Sequence, residues 1–211
     1  MKKVLALVTT LIMALTLVGC GGNDGSKTKT EPNADVAAPN VSSQVTKTGE
    51  KPGKILIAYY SRTGNTRSVA QEIQKNVGGD LFEIKTTNTY PEEYQATTEQ
   101  AKTEKNNNFR PELAAKVPNI DSYDVIFVGY PIWWGTMPMG VFSFLEQHNL
   151  AGKTVIPFCT HGGSGFGDSV SDIKKTSPQA NVVQGLALRG SEAGKSQTEI
   201  ANWLKSIGMA K

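Results

Sequence analysis

Cysteine and histidine are nearly absent from this chain of 211 residues: Cys20, Cys159, His148 and His161 are the whole complement. So few ligands leave no material for a cysteine-based metal cluster and argue against a zinc site. Charge of one sign is also missing. Lys and Arg number 22 against 19 Asp and Glu, a formal net charge of +3, and from Lys54 onward the balance is about +1. That mildness excludes the basic footprint of a nucleic-acid-binding protein. The apolar stretch Val4 to Val18 is short of the roughly 20 residues a comfortable membrane span needs. The Gly-x-x-x-x-Gly-Lys loop of nucleoside triphosphatases is missing as well, and no internal repeat is present.

What the chain does have is three unusual loops, each following an apolar run. Ile55 to Tyr60 leads into Ser61-Arg62-Thr63-Gly64-Asn65-Thr66. Hydroxyl and amide side chains around one glycine, at the mouth of a helical pattern, suit a phosphate: a helix start offers unpaired N–H groups and a partial positive charge. Val125 to Tyr130 leads into Pro131-Ile132-Trp133-Trp134-Gly135. Val155 to Cys159 leads into Thr160-His161-Gly162-Gly163-Ser164-Gly165-Phe166-Gly167. In open parallel sheets ligands bind beyond the carboxyl ends of the strands, so the three loops together suit a ligand with a phosphate tail and a flat ring.

Apolar runs alternating with helical periodicity predict an α/β doubly wound sheet. The strands are expected at Lys54–Tyr60, Asp80–Lys85, Val125–Tyr130, Lys153–Cys159 and Asn181–Leu188. Helices are expected at Thr66–Val77, near Pro91–Glu104, at Met139–Glu146, Gly167–Lys175 and Lys195–Ile207. The polar stretch between Thr86 and Pro118 reads as an insertion. Cys159, at the end of an apolar strand, reads as a small core residue, since free cysteine is commonly buried.

The motifs Tyr-Ser-Arg-Thr-Gly-Asn-Thr, Gly-Tyr-Pro-Ile-Trp-Trp-Gly and Thr-His-Gly-Gly-Ser-Gly-Phe-Gly, in this order, resemble the flavodoxin family from about Lys54 to the C-terminus. The resemblance implies a flavodoxin-like doubly wound five-stranded parallel sheet of order 2-1-3-4-5, helices on both faces, and non-covalent FMN; flavodoxin is itself a standard example of this strand order. It implies that Ser61 to Thr66 hold the FMN phosphate. Pro131 to Gly135 would flank the ring, with Trp133 or Trp134 stacking on it. Thr160 to Gly167 would line the other edge and the ribityl chain. It further implies that Gly135 lets its peptide with Trp134 turn over as the ring is reduced. Many flavodoxins are strongly acidic, and this chain departs from that pattern.

The beginning of the chain resembles a bacterial lipoprotein signal: Met1-Lys2-Lys3, the apolar stretch, then Leu17-Val18-Gly19-Cys20. That resemblance implies residues 1–19 as a signal peptide, cleavage before Cys20 and two acyl chains for stable anchoring. Cys159 is then the one free thiol. Residues 21–53, rich in Gly, Ser, Thr, Asn and Pro, read as a disordered tether spanning roughly 30 Å as a coil. The folded domain is expected over 54–211, outside the cytoplasm at the bacterial cell envelope.

The expected function is that of a membrane-anchored electron carrier that exchanges electrons with a redox protein or a small molecule. Two alternatives stand beside it: an FMN-dependent NAD(P)H:quinone-type oxidoreductase, and an FMN-binding module without turnover.

Overall fold

The computed structural model describes residues 53–210. The expected signal peptide, the expected lipidation site at Cys20 and the expected tether, up to residue 52, lie outside the described residues.

The elements run β1 (Ile55–Tyr59), α1 (Asn65–Val77), β2 (Asp80–Glu83), α2 (Tyr94–Asn106), β3 (Val125–Pro131), α3 (Met139–Gln147), β4 (Thr154–His161), α4 (Ser169–Thr176), β5 (Asn181–Val182), β6 (Leu186–Arg189) and α5 (Gln197–Ser206). All strands pair in parallel, in the order β2-β1-β3-β4-β5, with β6 continuing beside β4. The expected 2-1-3-4-5 sheet is therefore present.

The core explains why β1 and β3 are almost continuously apolar. Ile55, Ile57 and Tyr59 face Val69, Ala70 and Ile73 of α1 and Ile200, Trp203 and Leu204 of α5. Leu56 and Ala58 face the other way, toward Val141, Phe144 and Leu145 of α3 and Ile173 of α4. Period-two alternation between two covered faces leaves no position for a polar side chain. Phe127, Phe144 and Phe158 are fully buried, and truncating any of them to Ala costs about 3–5 kcal/mol. Cys159 is also fully buried, as its sequence setting predicts, and desolvation pushes its thiol up to about 12.

The last strand departs from the expected run Asn181–Leu188. It is broken into β5 and β6 because Pro157 of β4 has no N–H to give. Val155 pairs with Val182 and Phe158 with Leu186, so the outer strand carries one extra residue. The Val183 N–H still reaches the Val155 carbonyl (3.0 Å). The next rung would need a donor at position 157, and the missing bond opens a bulge. Helix ends also shift: α1 starts at Asn65 with Gly64 as its N-cap. Helix α2 starts at Tyr94 because Glu93 caps it, accepting from the Gln95 and Ala96 amides (2.8 and 2.5 Å).

Candidate functional site

The carboxyl ends of β1, β3, β4 and β6 open on one cavity of about 690 Å³. Its floor begins at the β1–α1 loop. Gly64, the N-cap of α1, stands at φ 93, where a side chain would be strained. The Ser61 hydroxyl accepts from the Arg67 amide (3.2 Å) and the Gly64 carbonyl from the Ser68 amide (2.9 Å). The amides of Thr63, Gly64, Asn65 and Thr66 have no partner among the described residues. Unpaired donors at the start of a thirteen-residue helix make a cradle for an anion. The Thr66 hydroxyl lies 2.9 Å from that of Thr160 in the interior, which fastens this loop to the end of β4.

Arg62 plays a different part. Its guanidinium donates to the carbonyls of Glu92 (2.6 Å) and Pro91 (3.4 Å). It thereby ties the β1–α1 loop to the segment that enters α2.

The second wall is a two-residue hairpin turn. Trp133 and Thr136 exchange both backbone bonds (2.8 and 3.1 Å). Between them Trp134 and Gly135 take φ 51 and 82, the signature of a type I′ turn. For tryptophan this left-handed state costs roughly 1–2 kcal/mol. The Gly135 carbonyl is held by the Asp168 amide (2.8 Å), and Gly167 packs on it so closely that a Cβ there would come within 2.2 Å. Trp133 packs edge-on against Tyr60 and Tyr90, with ring centres 5.5 and 5.1 Å away. Burial raises the Tyr60 and Tyr90 hydroxyls well above the ordinary tyrosine value; the Tyr90 hydroxyl also bonds the buried carboxylate of Glu104. Trp134 is 43% exposed, its indole N–H on the Thr98 carbonyl at 2.9 Å.

From the glycine-rich loop only Thr160, His161 and Gly162 reach the cavity. Gly163 through Gly167 are not part of the lining, and Gly167 packs against the tryptophan turn. Phe166 packs on the core, the Gly165 carbonyl meets the Cys159 thiol (3.8 Å), and His161 Nδ1 accepts from the Gly163 amide (2.9 Å).

The cavity thus unites Arg62, Thr63, Asn65 and Thr66, Pro131 through Trp134, and Thr160 through Gly162. Ser61, Gly64 and Gly135 adjoin lining residues in the chain without being part of the lining. Two groups of lining residues escape the sequence reading. Tyr94, Thr97, Thr98 and Ala101 come from α2, inside the stretch read as an insertion. Arg189 ends β6, and Gly190 and Ser191 follow it. The same strand-end rule applied to Leu186-Ala187-Leu188 would have found the second group. Gly190 backs onto Asn65: a Cβ there would lie 3.0 Å from its side-chain Nδ2. Among the described residues, no carboxylate lines the cavity.

A protein of Bacteroides eggerthii DSM 20697 with a solved structure is 39% identical, with a TM-score of 0.66, covering 74% of this chain and 98% of that one. A Lactobacillus acidophilus NCFM flavoprotein, solved in complex with FMN, is 28% identical with a TM-score of 0.58, covering 68% and 97%. An NAD(P)H dehydrogenase (quinone) of Acidovorax ebreus (strain TPSY) is 30% identical over 100 residues, 44% of this chain and 46% of the relative. The chain therefore spans about half the length of that curated relative. The family model described as Flavodoxin matches residues 54–207, nearly every residue that builds the sheet, its helices and the cavity, and the chain belongs to the flavodoxin family.

Proposed function

We propose that the cavity binds FMN non-covalently and that the protein carries electrons at the bacterial cell envelope, tethered through a lipidated Cys20. The observation that carries the reading is the row of unpartnered amides from Thr63 to Thr66 at one end of a cavity walled by tryptophan at the other. A cavity of this size falls within the 300–1,000 Å³ usual for cofactor sites.

When bound, FMN supplies one- and two-electron redox chemistry; the chain's own residues bind and orient it. The amides of Thr63 through Thr66 and the Thr63 hydroxyl receive the phosphate. The Arg189 guanidinium, without an ion pair among the described residues, adds positive charge on the side where Gly190 adjoins Asn65. Pro131, Ile132 and the open face of Trp134 provide an apolar wall for the ring. Gly162 and His161 border the opposite edge. Dithionite titration of the full chain in detergent tests the carrier reading: stepwise one-electron reduction supports it, and a single two-electron step counts against it.

A second reading, FMN-dependent NAD(P)H:quinone reduction, draws on the likeness to the Acidovorax protein. Rapid quinone reduction by NAD(P)H would favour it over the carrier. The anchor is tested separately, since no described helix is long and apolar enough to cross a membrane. Labelled palmitate should enter the parent protein and not Cys20→Ser.

A further inference from the structure

Helix α2 grips the Trp134–Gly135 turn at three points. The Lys105 ammonium donates to the Trp134 carbonyl at 2.6 Å. The Trp134 indole N–H donates to the Thr98 carbonyl at 2.9 Å. Lys102 sits over the indole with its nitrogen 5.0 Å from the ring centre. Thr98, Lys102 and Lys105 are spaced four and three residues apart, one stripe of the helix.

This grip has work to do on both partners. Trp134 holds a left-handed φ of 51, a state that a bulky residue keeps only where its surroundings impose it. The following carbonyl, that of Gly135, is fixed from the other side by the Asp168 amide. Lys105 therefore supplies the missing half of the restraint. Helix α2 in turn has little apolar surface to seat it: its buried residues are Thr97, Ala101 and Glu104. Polar contacts decide where it lies over the cavity.

We propose that Lys105 is a positioning residue, whose bond to the Trp134 carbonyl preforms the tryptophan wall against which the flat ring of the cofactor lies. The inference rests on the FMN reading above. A wall ordered in advance removes an ordering cost from binding, so its loss weakens affinity without touching the phosphate cradle.

The test uses the full chain with Lys105→Met, which keeps the aliphatic stem, together with Lys105→Arg and, as a control, Glu99→Gln at an exposed α2 position outside the stripe. Acrylamide quenching of tryptophan fluorescence in cofactor-free protein reports the wall. FMN and riboflavin titrations report its use. Lys105→Met is expected to make Trp134 more accessible and to weaken FMN and riboflavin alike, by about tenfold. Lys105→Arg is expected to restore both, and Glu99→Gln to stay near the parent. A Lys105→Met protein that melts earlier but keeps parental quenching and affinity overturns the proposal. So does an equal loss in Glu99→Gln, which would mark a general disturbance of α2. If the parent protein binds no FMN, the cofactor reading fails, while the quenching comparison still decides whether Lys105 holds the wall.

Discussion

The hydroxyls of Thr66 and Thr160, 94 residues apart, meet at 2.9 Å in the interior. They join the proposed phosphate cradle at the start of α1 to the end of β4, and so fix the distance between two walls of the cavity. Thr160→Val removes one hydroxyl at constant shape and leaves that of Thr66, 1% exposed, without a partner. An unmet buried hydroxyl costs about 1–3 kcal/mol. Urea unfolding of the variant should show a loss in that range, accompanied by weaker FMN binding. Unchanged stability would mean that the two loops are joined by other contacts.

Arg189 offers a charge test. It is exposed, so solvent screening limits its contribution to roughly 1 kcal/mol. Arg189→Gln should weaken FMN about fivefold and leave riboflavin, which lacks the phosphate, unaffected. Equal losses for both ligands would move Arg189 from the phosphate to the ring.

The lining brings Arg62, His161 and Arg189 to the cavity and no carboxylate among the described residues. The negative charge gained by the ring on full reduction then meets no fixed negative charge in the wall. The second-electron potential should be less negative than in strongly acidic relatives, and Arg189→Gln should make it more negative. Potentiometric titration against reference dyes measures both. A very low second couple in the parent protein would contradict the electrostatic argument.

Acid should loosen the α2 side first. Glu93 is held below the usual carboxylate range by the Gln95 and Ala96 amides it caps. Burial alone would raise Glu83, but bonds from Arg67 and Lys85 bring it lower on balance. A carboxyl with a depressed folded value contributes stability above its unfolded value, near 4.3 for Glu, and loses it as pH falls through the folded one. Stability should therefore be level at neutral pH and decline below about pH 4, with Glu93→Gln removing part of that decline. Hydrogen exchange across α2, followed against pH, checks the order of events.

Strand positions and the three loops were legible because they rest on short-range rules: apolar runs buried on two faces, and ligands beyond strand ends. Two features needed long-range information. Helix α2 is polar even on its inward side, where Thr97, Ala101 and Glu104 are buried, so its role as a wall left no apolar stripe to read. Gly163 to Gly167 look like ligand-contacting glycines, yet they lie outside the cavity lining, and Gly167 packs against the Gly135 carbonyl. Glycine-rich composition records close approach and not what is approached. The break between β5 and β6 was half-visible. Pro157 announces a missing donor, but which neighbour lacks the bond depends on pairing across the sheet.

The most direct measurement of the central claim is a calorimetric titration of the cofactor-free full chain with FMN, read beside its visible spectrum. One FMN per chain, bound more tightly than riboflavin, with flavin bands altered by the tryptophan wall, is the predicted result. A colourless protein that neither takes up heat nor alters the spectrum of added FMN would contradict it.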